Sequence, residues 1–345
     1  MPRIAAGLLG LLVLLAAAGA GITSPVAVPH ALARDADIAS LGRLLEQSEG
    51  QIDLTRAKVT IDHMADPGVD VEATLRELDQ WAAKIRGRIP PGASDRVKTD
   101  VLLSTLYEPG PWNDFRPFDY DYSDPYGRDL HNALLSSYFT RRMGQCVIMP
   151  IAVVLPGQKP GLPMTMTTAP YHLIVKYGDA EQGRWTNLDA TSGLFHPDSG
   201  YMEAMKIPEK ALDNGICLRP NSQRESVALF AAVVLVPHYL EQKEIDLALQ
   251  ATDLILKINP KEVQAMLLKS NAYIAIVDRK FRSRYPEPNQ IPIELRPQFI
   301  ADRDRVAEWR QKAAALGYKE WTKVDWDRYL KQFTEDKSKQ EREGR

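Results

Sequence analysis

The apolar run Val147–Leu155, VIMPIAVVL, carries a proline at its fourth position, and that proline constrains how the surrounding chain folds. Inside a helix the ring would clash with the carbonyl four residues back, and proline has no N–H to donate. In the first turn neither defect matters, because those N–H groups have no intrahelical partner. The run therefore predicts a helix that begins close to Cys146, with Gly144 allowing a sharp turn before it. A cysteine there lies at a helix N-terminus, where the dipole and free N–H groups favour a thiolate, and Arg141 and Arg142 add positive charge nearby. Three roles remain open for it: a buried core thiol, one end of a disulfide to Cys217, or a nucleophile.

A nucleophile needs a base and a group that orients the base. Downstream, YHLIVKY (Tyr171–Tyr177) and RWTNLDA (Arg184–Ala190) read as two short strands joined by GDAEQG. Antiparallel pairing about the middle of that connection sets His172 opposite Asp189, close enough for an imidazole–carboxylate hydrogen bond. The bland alternatives are a satisfied core histidine at His172 and a turn cap at Asp189 in DATSG. Cys217, between Ile216 and Leu218, reads as a small buried residue. His131, in a helical stretch, and His196, in the FHPDSG loop, are weaker candidates.

Composition narrows the class. With 44% hydrophobic and 26% charged residues and a net charge of −2, the chain reads as an ordinary globular protein with no electrostatic reason to bind nucleic acid. It carries no CxxC pair, HExxH or Gly-rich phosphate loop, so no metal or nucleotide cofactor is expected. Residues 1–33 have the form of a secretory signal peptide: Arg3, the uncharged run Ile4–Ile22, then an A-x-A pattern ending at Ala33. The rival reading is a retained anchor, the only route by which a membrane enters. Both place the body outside the cytoplasm, periplasmic or secreted.

The body divides by pattern. Residues 34–108 read as helical: Leu75, Leu78, Trp81 and Ile85 share one face after Asp70, and Leu102, Leu103 and Leu106 point inward after a Ser94 cap. Residues 109–127 are rich in Pro, Asp and aromatics and read as an ordered loop that either packs on its domain or lines a groove. From 223 to 330 successive helices follow, with Pro237 expected to kink or shorten the first of them. Tyr239 and Tyr273 are 34 residues apart, the tetratricopeptide period, with Ala248 and Pro260 in fitting positions. Residues 331–345 are charged and expected to fray.

Gly-Gln-Cys at the front of an apolar helix, followed by His on one strand and Asp on the next, resembles the transglutaminase-like cysteine enzymes. DPYGRDLHNALLSSYFTRRMGQCVIMPIAVV, APYHLIVKY and WTNLDATSG are similar to bacterial members with a tetratricopeptide tail. The resemblance implies an α+β, papain-like core over 109–222, with helical flanks. It implies Cys146 as nucleophile, His172 as base and then acid, Asp189 as the residue orienting the imidazole, and Gln145 beside the oxyanion site. Val147 stands where the animal enzymes carry Trp, and no calcium-loop pattern follows. The implied activity is hydrolysis or acyl transfer at amide bonds of a peptide or protein, with the helical tail as a surface for a protein partner. The other function class left open is a non-catalytic peptide-binding module of the cell envelope.

Overall fold

The computed structural model describes residues 30–179 and 183–343. Most of the expected leader lies outside these residues, and its last part, from His30 to Ala33, falls in the first turn of α1 (His30–Glu46). Among the described residues no helix is long and apolar enough to cross a membrane.

The helical N-terminal half continues with α2 (Leu54–Ala65), α3 (Val71–Arg88) and α4 (Asp95–Tyr107). Side-chain caps start all three, because an N-terminal N–H needs an outside acceptor. Asp53 accepts from Arg56 N (3.0 Å), Asp70 from Ala73 N (2.8 Å) and Ser94 from Val97 N (3.4 Å). Leu78, Trp81, Ile85, Leu102 and Leu106 are buried as their spacing predicts. Helix α2 also buries an ion pair, Lys58–Asp62. Lys58 Nζ donates to Ala133 O (2.9 Å) and Asp62 accepts from Leu135 N (3.0 Å), so the pair fixes the start of α5 (Leu135–Arg141).

Between α4 and α5 the loop contributes β1 (Asp119–Tyr120), which pairs in parallel with β2 (Met143–Gly144) just before the buried helix α6 (Ile148–Gln158). Met149 N bonds to Gln145 O (3.0 Å), so the first helical turn encloses Cys146 and Val147, and Pro150 stands where its missing N–H costs least. The turn itself differs from expectation. The left-handed residue is Arg142 (φ 59°), whereas Gly144 has no positive φ and is needed for space: a Cβ there would overlap the Tyr138 ring and Ile148.

Four antiparallel strands follow in sequential order: β3 (Met164–Ala169), β4 (His172–Asp179), β5 (Arg184–Asp189) and β6 (Leu194–His196). The outer two were not expected. Met164, Met166, Leu173, Val175 and Leu188 join the main core with α6, while Ala169 and Ile174 on the opposite face join a second core. That core holds Tyr201 of α7 (Asp198–Met205), Ala211 of α8 (Glu209–Asp213), Ile207, Cys217 and Leu218.

Helix α9 (Gln223–Phe230), a π turn at Ala231–Leu235 and α10 (Val236–Glu241) follow without a break. The wide turn immediately precedes Pro237, where an ordinary turn would meet the proline ring. Helix α12 (Val263–Val277) packs against both α11 (Ile245–Ile258) and α13 (Arg296–Ala315). The chain then ends in α14 (Lys323–Glu343). This corrects the expected fraying of 331–345: through Glu343 the segment is helical, and Phe333 is buried. Trp326, Tyr329 and Phe333 lie at helical spacing on one face, and that face is packed.

Candidate active site

Cys146 enters from the front of α6 and meets the start of β4. Its sulfhydryl donates to the Tyr171 carbonyl, at 3.8 Å, immediately before His172. Strands β4 and β5 pair as Val175↔Leu188 through Asp179↔Arg184, two residues out of the expected register. The difference arises because β4 runs on through Gly178 and Asp179, where the sequence reading placed the connection. Gly178, at φ 155°, pairs with Trp185 so closely that a Cβ would overlap the Arg184 carbonyl. A two-residue shift preserves the facing of every side chain, so His172 and Asp189 still share a face, as diagonal neighbours rather than a direct pair.

The expected imidazole–carboxylate hydrogen bond is accordingly not formed. Asp189 Oδ1 instead accepts from Thr191 N (2.8 Å) and Thr191 Oγ1 (2.6 Å), the turn-capping role that was the bland alternative. Tyr201, which the sequence reading did not single out, faces this carboxylate. Its ring stacks on His172 at 6.3 Å, and its buried hydroxyl approaches Asp189 without completing a hydrogen bond. Beside it, Lys176 and Asn187 both reach Asp198 at the start of α7 (2.6 and 2.7 Å), which ties that helix to the sheet.

Electrostatics overturn one expectation. Burial pushes the Cys146 thiol up to about 11, and the Asp189 carboxylate adds to the rise. The helix terminus does not prevail, and the two arginines are engaged elsewhere. Arg141 pairs with Asp121 and donates to Asn132, while Arg142 donates to Asn113 O and Arg116 O and lies over Trp81. Burial lowers the His172 pKa, and Asp189 opposes that effect. Burial would raise Asp189, but His172 and the Thr191 and Tyr201 contacts outweigh it and hold the carboxyl low. At neutral pH the resting site thus holds a thiol, a neutral imidazole and a carboxylate.

Gln145, expected beside the oxyanion site, has its side-chain amide engaged by the preceding loop. Its amide donates to Asp121 O (3.0 Å) and Asp124 O (2.5 Å), which uses both amide hydrogens to pin the 121–124 turn. Both cysteines are free, with Cys217 buried in the second core. His131 is exposed on Asp129 (2.9 Å), and the His196 ring packs in a T-shape with Tyr201 while its carbonyl accepts from Asn187. A cavity of about 330 Å³ opens elsewhere, lined by Arg128, Asp129, Val233, His238 and Glu241 among others, and none of the three site residues borders it.

The sequence profile described as the transglutaminase-like superfamily matches residues 72–206. Residues 72–206 form a transglutaminase-like superfamily domain. That domain runs from α3 to the end of α7, so it contains Cys146, His172, Asp189 and Tyr201. Neither a curated protein nor a solved structure matches the chain.

Proposed function

We propose that this protein is an extracytoplasmic cysteine hydrolase or acyltransferase acting on amide bonds of a peptide or protein. The reading is carried by one observation: the Cys146 sulfhydryl donates to the carbonyl of Tyr171, immediately before His172, at the junction where α6 meets β4, and Asp189 shares the face of His172. The thiol proton passes to His172 as the sulfur attacks the carbonyl carbon. The Cys146 backbone N–H, in the first turn of α6, is placed to stabilise the developing oxyanion. His172 then gives the proton to the departing nitrogen as the C–N bond breaks, leaving a thioester. Water or an amine resolves the thioester and regenerates the thiol. Because thiol and imidazole both rest neutral, proton transfer accompanies attack instead of preceding it. Asp189 stabilises the imidazolium that forms.

The leader pattern at 1–33 supports an extracytoplasmic placement. The Tyr239–Tyr273 spacing, with buried Ala248 and α12 packed on both neighbours, supports a tetratricopeptide-like tail that holds a protein partner. A non-catalytic peptide-binding module is the second reading, and the elevated thiol pKa favours it.

The test is incubation with a library of glutamine-containing peptides, with and without a fluorescent primary amine. Ammonia release, peptide cleavage or amine incorporation that disappears in Cys146→Ser is expected. Peptide binding with none of these products, the same in both proteins, would establish the binding module instead.

A further inference from the structure

Helix α14 lies over the site, between two aromatic walls. One wall is Tyr120, Tyr122 and Tyr126 from the loop before α5; the other is Tyr171, the residue between the Cys146 sulfhydryl and His172. Phe333 packs on Tyr122 at 5.1 Å and Tyr120 at 6.2 Å, while Trp326 packs on Tyr171 at 5.0 Å and Tyr126 at 6.4 Å. Trp321 adds a contact to Tyr171 at 4.6 Å, and Tyr318 Oη meets Tyr171 Oη at 2.9 Å. Tyr329 stands between these contacts, packed on Trp326 at 5.9 Å and on Phe333 at 5.8 Å. The ends are fastened by polar contacts: Lys206 to Asp325 (2.7 Å) and Gln340 Nε2 to Tyr120 O (3.1 Å). Thr322 and Asp325 cap the helix start reciprocally.

Nothing in the matched domain requires this cover, because α14 begins more than a hundred residues after the domain ends. Its buried face is a stripe of Trp326, Tyr329 and Phe333, and much of its remaining surface is charged and exposed. The Tyr171 carbonyl accepts from the Cys146 sulfhydryl, and Tyr120 pairs with Gly144, two residues before Cys146.

We infer that α14 is an internal occupant of the substrate cleft, holding the site closed until a polypeptide segment bearing an aromatic helical face displaces it. This rests on reading Cys146 as the nucleophile, but its test does not require turnover. Displacement works as a population shift: the cleft is open only in the fraction of molecules whose α14 is detached.

The full chain is treated with iodoacetamide, and alkylation of Cys146 and Cys217 is followed separately by peptide mass spectrometry. Trp326→Ala/Tyr329→Ala is expected to raise the Cys146 rate about tenfold or more while Cys217 in the second core stays protected. Lys206→Glu, which breaks a surface tether without touching either core, is expected to raise it by a smaller factor. A synthetic peptide of residues 319–343 should return the double variant towards the wild-type rate, and a scrambled peptide should not. Equal Cys146 rates in wild type and Lys206→Glu, together with no effect of the peptide on the double variant, would overturn the inference. Loss of catalysis with these accessibility changes intact would instead count against the enzymatic reading alone.

Discussion

Cys146 is governed by its surroundings more than by its helix. A sulfur at a helix N-terminus gains from the dipole, but burial and the Asp189 charge both oppose the thiolate, and together they leave the pKa near 11. Alkylation of Cys146 should therefore climb about tenfold per pH unit from neutrality towards pH 11, instead of levelling off near 8.5. Asp189→Asn removes the like charge, so the thiol pKa should fall. The same change removes the group that opposes burial at His172, so the imidazole pKa should fall as well. Alkylation profiles and the imidazole proton shifts in NMR titrations check the pair. An Asp189→Asn variant that leaves both titrations in place would separate the carboxylate from the site. His172 also links the site to acid stability. Its native pKa lies below its ordinary value of 6.5, so below that pH the unfolded chain binds more protons than the native one. The stability it contributes above pH 6.5 should be lost as pH falls through the native pKa.

The order Cys146, His172, Asp189 was legible in the sequence because residue type and strand sequence carry it. Their protonation was not, since burial and the Asp189 charge set it, and only the folded chain brings these to bear. The roles of Arg141 and Arg142 were hidden for the same reason: their acceptors lie in the 113–121 loop.

Among the elements, α2 holds the site from behind. Removing Asp62 would leave the Lys58 ammonium buried without its partner and the first N–H of α5 without an acceptor. Asp62→Ala should cost about 3–5 kcal/mol in urea denaturation, whereas Lys58→Met/Asp62→Leu should recover most of that loss. A double variant no more stable than the single one would show that the hydrogen bonds to Ala133 and Leu135, not charge burial, dominate. Gly144→Ala forces a methyl group onto Tyr138 and Ile148, and should cost about 1–3 kcal/mol while displacing the Cys146 turn. Helices α3, α4 and α6 were legible because caps, apolar period and Pro150 all point the same way. The β4–β5 register was not: a six-residue connection does not say which pair closes it, and Gly178 extended the strand where a turn looked equally natural.

At the scale of the whole molecule, the two ends of the chain serve the domain between them. Helices α1 and α2 lead into α3, which with α4 packs on α6, and the last helix packs its aromatic side chains on Tyr122 and on Tyr171 beside Cys146. The part of α14 beyond residue 330 escaped the sequence reading because Lys, Glu, Asp and Arg dominate its composition, although Trp326, Tyr329 and Phe333 already marked one apolar face. The proposed chemistry turns on His172 serving Cys146 as its base. The most direct measurement is acetylation of Cys146 by p-nitrophenyl acetate at neutral pH, followed by intact mass and peptide mapping in wild type, His172→Ala and Asp189→Asn. His172→Ala should slow acetylation at least about a hundredfold and Asp189→Asn by a smaller factor, with Cys217 unmodified throughout. Equal acetylation rates at Cys146 in all three proteins would contradict it.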